Sequence, residues 1–136
     1  MQLVVPVDVA DVIQQALNAA GVTACAEPLP RGLESSIPIT LVQPIGGTRS
    51  DVVVDARPVR LYTWAETDAE ADAEARAATA ALMATVGTVV GGTSIYRVDA
   101  TALPYPAHDP EHPTLARCAQ TARVWLRASV EEQQQP

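Results

Sequence analysis

The chain contains no lysine and no phenylalanine; its nine basic residues are all arginine, and among 136 residues there are two tryptophans and three tyrosines. Arginine in place of lysine, and alanine in place of larger apolar residues, is what a genome-wide coding bias produces, and no chemistry follows from it. Two cysteines, Cys25 and Cys118, are too few for a disulfide scaffold. They fit a reduced assembly site in which both thiols act as small buried hydrophobes. Sixteen acidic residues outnumber the basic ones, for a net charge of −7. That balance argues against a free-standing DNA-binding domain, which must neutralise phosphates. It leaves room for a protein that lets DNA pass without holding it. No apolar run approaches the ~18 residues of a membrane span. The opening Met1-Gln2-Leu3-Val4-Val5-Pro6 lacks the basic and apolar regions of a secretion signal.

What is present is a 48% hydrophobic chain of one domain's length. Residues 1–130 form the expected domain, with 131–136 as a polar, frayed tail. Asp8 is a good N-cap for a helix over Val9 to Ala20, and Gly21 supplies its left-handed stop. Val9, Val12, Ile13, Ala16, Leu17 and Ala20 fall on one stripe at helical spacing. Short strands are expected at Val22 to Ala26 and Ile37 to Ile45, then a polar turn over Gly46 to Asp51. A third strand is expected from Val52 to Ala65 with a bulge at Pro58. Its Val59, Leu61 and Thr63 share one face, and Arg60, Tyr62 and Trp64 the other.

The second helix, Thr67 to Ala84, carries the clearest signal. Thr67 caps it and Glu70 stands three residues on, as in a capping box. Asp68, Glu70, Asp72 and Glu74 crowd the end of the helix where negative charge is favoured. Ala71, Ala75, Ala78 and Leu82 form a thin stripe suited to close packing, and Asp72 and Arg76 are set for an i,i+4 ion pair. Strands follow at Ser94 to Leu103 and Thr114 to Ala128, separated by a loop with four prolines, Pro104 to Pro113. The expected fold is α+β: a mostly antiparallel sheet of four to five strands with two helices on one face.

Candidate chemistry is sparse. His108-Asp109-Pro110-Glu111-His112 is the one cluster of metal-ligand types, but Pro110 and Pro113 forbid the helix that would align its histidines. It reads as a stiffened surface loop. Cys25 lacks any neighbour that would activate it. Ser35 and Ser36 lack a nucleophile elbow, and Gly46-Gly47 and Gly91-Gly92 lack the spacing of a phosphate loop. The four carboxylates of the second helix cannot converge, because alternate residues point about 200° apart. No catalytic residue, metal or cofactor is expected. The final strand offers more, since Arg117, Arg123, Trp125 and Arg127 share its odd face. Such residues are typical of protein interfaces. The acidic Asp68, Glu70, Asp72 and Glu74 would meet them from a neighbouring copy, head to tail, in a ring.

The layout resembles the tail terminator (tail-completion) proteins of long-tailed bacteriophages of high-GC actinobacterial hosts, over about residues 8 to 128. The resemblance rests on several pieces: the opening helix; the strand Val59 to Ala65 running into the acidic, Ala-rich helix; the Val90-Gly91-Gly92 turn; the strand Ile95 to Val98; and the Leu103-Pro104 to Asp109-Pro110 loop before a last Arg-rich strand. It implies an α+β subunit, not an enzyme, of a hexameric ring on the head-proximal end of the tail tube. The ring would stop tube growth and dock the head-tail connector proteins. The implied partners are further copies of the chain, the tube protein and the neck proteins, with DNA passing through the lumen and no membrane. The implied location is the virion neck, assembled in the host cytoplasm. A connector component of the same virion is the alternative, and a small cytosolic ferredoxin-like enzyme or binding domain a more distant one.

Overall fold

The computed structural model describes residues 2–132. Its elements are β1 (Gln2–Val5), α1 (Val9–Ala19), β2 (Ala24–Ala26), a 3-10 turn (Leu33–Ser35), β3 (Ile39–Pro44), β4 (Thr48–Asp51), β5 (Val54–Ala65), α2 (Asp68–Met83), β6 (Val89–Val90), β7 (Thr93–Pro106), β8 (Ala116–Arg127) and β9 (Ser129–Glu132). Both helix starts follow from their caps. The Asp8 carboxylate accepts from the Asp11 amide at 3.2 Å, and the Thr67 hydroxyl accepts from the Glu70 amide at 3.2 Å.

The fold is α+β, but the sheet has seven strands rather than four or five. Six lie in the order β2-β3-β5-β8-β7-β6, and β4 pairs with the start of β5. Pairing is antiparallel except between β2 and β3. A separate two-stranded ribbon joins β1 to β9. The extra strands are short segments of two to four residues, too short to show an alternating pattern. Three local expectations also change. Thr48 to Asp51, expected as a turn, are a strand. β7 runs on through Pro104-Tyr105-Pro106 into the expected loop. Pro58 makes no bulge, because β5 pairs with β8 in one unbroken register. Pro58 sits where the other neighbour of β5 changes from β4 to β3, so its missing N–H breaks no ladder. The backbone of the expected tail continues as β9 to Glu132; residues 133–136 lie outside the described ones.

The inner face of the sheet meets both helices. Val59 and Leu61 of β5, with Ala122, Val124 and Leu126 of β8, pack under Val9, Ile13 and Leu17 of α1 and Ala78 and Leu82 of α2. The alanine stripe lets α2 approach closely enough for backbone contact. Gln120, the one large polar residue on the inner face of β8, donates to the Ala75 carbonyl at 2.9 Å and accepts from the Thr79 hydroxyl. Thr40 and Thr63 satisfy each other at 2.8 Å. A buried polar group needs such a partner, and each of these has one.

A second, smaller core lies on the outer face at one end of the sheet. Trp64, Ile39 and Leu41 are covered there by Leu33 of the 3-10 turn and by Leu115. The rest of the outer face is open.

Candidate functional site

Strand register decides what the outer face carries. Residues at even positions of β5 pair with odd positions of β8: Pro58 with Arg123, Arg60 with Thr121, Tyr62 with Ala119 and Trp64 with Arg117. On β7, Arg97 lies opposite Trp125 and Asp99 opposite Arg123. Five arginines are therefore brought to one side of the sheet: Arg60, Arg97, Arg117, Arg123 and Arg127. Arg60 and Arg97 were not among the residues expected from the last strand alone, because only the pairing of three strands brings them there.

These arginines differ in how far they are engaged. Arg97 lies over the Trp125 ring at 4.6 Å and forms an ion pair with Asp99 at 2.9 Å. Arg123 approaches the same ring at 5.9 Å, and Arg60 the Tyr62 ring at 5.8 Å. Arg60, Arg123 and Arg127 have no carboxylate partner among the described residues. Arg123 and Arg127 are exposed, and Trp125 is half-buried between them.

Arg117 lies on the same face but is not free. Its guanidinium sits 4.3 Å from the centre of Tyr62 and donates to the carbonyls of Ala107 and His108. It anchors the loop that follows β7. The same loop is built around Asp109, which is buried rather than one more surface group. Trp64 Nε1 donates to Asp109 Oδ2 at 3.0 Å, His112 Nδ1 lies 2.7 Å from that oxygen, and the Glu111 amide donates to Oδ1 at 3.0 Å. Burial by itself would raise the Asp109 pKa. The hydrogen bonds from His112, Glu111 and Trp64, with the charge of Arg117, outweigh it and hold the carboxyl below the usual aspartate range. No spacing rule in the sequence reveals the pairing of Asp109 with Trp64. His108 is exposed, and no group of three metal-ligating side chains converges among the described residues.

The opposite side of the molecule is acidic. Asp68 and Glu70 are exposed, and Asp72 and Glu74 are half-exposed, on α2. Asp72 pairs with Arg76 at 3.0 Å. Asp68, Glu70 and Glu74 form no ion pair among the described residues. Because α2 covers the inner face, these carboxylates and the arginine face lie on opposite sides of the sheet.

The thiols are poorly suited to chemistry. Burial pushes the Cys25 pKa up, and burial together with the charges of Asp72 and Asp68 pushes Cys118 up. Cys118 is buried as expected, whereas Cys25 is only half-buried, against the second core. No helix among the described residues is long and apolar enough to cross a membrane. In comparison with known proteins, the chain matches no family model and no curated sequence.

Proposed function

We propose that the chain is a virion structural protein that forms a ring on the head-proximal end of a bacteriophage tail tube, ends tube growth and presents the docking surface for the neck. The observation that supports this reading is the two-sided charge of the subunit. Unpaired carboxylates of α2 lie on one side of the sheet, and unpaired Arg123 and Arg127 flank Trp125 on the other. A surface of one sign on one side and its complement on the other favours head-to-tail contact, which closes into a ring when the rotation per subunit allows. Guanidinium groups beside an indole suit such a contact, since they pair with carboxylates in a plane and stack on the ring. The tube, the neck and a count of six subunits come from the resemblance in sequence layout.

Negative-stain imaging of the purified chain, alone and mixed with tail tubes, tests the reading. Rings with a central hole and tubes closed at one end are expected. Rings that ignore tubes would place the protein among the connector components, and a strict monomer would end the proposal. Reversing the charge at Arg123 and Arg127 together (to Glu) is expected to abolish the ring while leaving the fold intact. A ring still present by analytical ultracentrifugation would remove the acid-arginine contact as its basis.

A further inference from the structure

The long strand β7 is unpaired along most of one side. It pairs with β8 from Ile95 to Pro106, but β6 covers only Thr93 and Ser94, and the turn before it reaches only Ile95. From Tyr96 to Pro106 the outer edge has no strand partner among the described residues. An open edge of this kind is a template for a further strand unless it is blunted. Here the register shifts at Tyr96, at Thr101 and again before Tyr105, leaving Arg97 to Ala100 as a straight, regularly paired stretch. Large apolar side chains stand exposed on either side of it, with Tyr96 46% and Leu103 67% accessible.

The β1–β9 ribbon has the converse problem. Its strands of four residues pair only with each other, and neither makes an extensive contact with another element. A lone two-stranded ribbon is at best marginally stable in water. Leu3 and Val130 are exposed on it. The strand β1, Gln2-Leu3-Val4-Val5, is uncharged and rich in β-branched residues until Pro6 ends it, so it is chemically suited to add to an edge. Its partner segment Ser129-Val130-Glu131-Glu132 is acidic in sequence. On the β7 edge itself, Arg97 is neutralised by its ion pair with Asp99 at 2.9 Å, so the stretch carries no net charge.

We infer that the β1–β9 ribbon of one copy docks on the open edge of β7 in the next, with β1 adding as a strand beside Arg97 to Ala100. The four-residue strand matches the regularly paired stretch in length, the exposed Tyr96 and Leu103 flank it, and an uncharged strand meets a stretch whose two charges already pair with each other. The contact is heterologous, as a ring requires, and it rests on the proposal that the chain assembles with itself.

Disulfide trapping tests it. Two variants on a Cys25→Ala background, one with Leu3→Cys and one with Ala100→Cys, are mixed, reassembled and oxidised. A mixed disulfide between the two chains is expected, and neither variant should cross-link alone. In parallel, Val4→Pro lies outside all the apolar clusters, so its circular dichroism melt should match the parent while the ring species is lost in sedimentation velocity. Rings that form without the mixed disulfide, or a Val4→Pro ring as stable as the parent, would overturn the inference. If that ring persists while the Arg123 and Arg127 reversal abolishes assembly, only this inference falls. A parent chain that stays monomeric overturns both this and the proposed function.

Discussion

Asp109 brings a charge into a loop that composition alone marks as solvent-exposed, and four groups from three segments make that tolerable. Trp64 comes from β5, Arg117 from β8, and His112 and the Glu111 amide from the loop itself. Together they fix the loop over the second core, which explains how a segment with four prolines holds one shape. Replacing Asp109 with Asn keeps the volume but removes the charge. It should cost about 1–3 kcal/mol, the usual loss when buried donors are left poorly satisfied, read as a lower urea midpoint at pH 7. The pH dependence has a definite sign. The folded-state pKa of Asp109 is depressed, so its stabilisation is present above the ordinary unfolded value of about 4. It is lost as pH falls through the lower folded value. The Asn variant should therefore show a shallower loss of stability between about pH 5 and pH 2 than the parent. Parallel acid-unfolding curves would show that Asp109 is not the group responsible.

Among the elements, α2 joins legible sequence to the acidic surface proposed for the contact between copies. Its cap, its alanine stripe and its acidic first turns were all evident in the residues, and the structure places the cap, the buried stripe and the Asp72–Arg76 pair as expected. The helix spans sixteen residues, so its periodicity is repeated often enough to be read. The faces of β5 and β8 were legible for the same reason, with Val59, Leu61, Thr63 and the even residues of β8 all buried. The short strands β1, β4, β6 and β9 were not recognised as sheet members: two to four residues are too few to show alternation, and β1 and β9 pair only with each other across the length of the chain. The role of Asp109 and the gathering of Arg60 and Arg97 were hidden for a related cause: each depends on register between strands far apart in sequence. Thr67→Ala tests the legible part. Loss of the cap should lower stability by about 1 kcal/mol, measured by chemical denaturation. No change would mean that packing of Ala71 and Ala75 alone holds the first turn.

At the scale of the whole molecule, the separation of charge across the sheet would let a chain with a net charge of −7 attract its own copy, as the proposed ring requires. Net repulsion acts over the whole surface, whereas the proposed attraction is local, between the carboxylates of α2 and the pair Arg123 and Arg127. Salt screens exposed charges with a Debye length of about 10 Å at 0.1 M, falling to about 3 Å at 1 M. The fold itself rests on three apolar clusters, and the surface ion pairs Asp72–Arg76 and Arg97–Asp99 are each worth about 0–1 kcal/mol. The two levels of structure should therefore respond differently. Raising NaCl from 0.05 to 1 M, as a titration on the order of one Debye length to the next, should weaken assembly progressively in sedimentation velocity. The circular dichroism melt of the dissociated subunit should stay nearly constant across the same range. The Arg123 and Arg127 reversal should remove the salt dependence along with the ring. Assembly indifferent to salt would show that the copies meet through apolar and backbone contacts instead, as at the β7 edge, and that the arginine face serves a different partner.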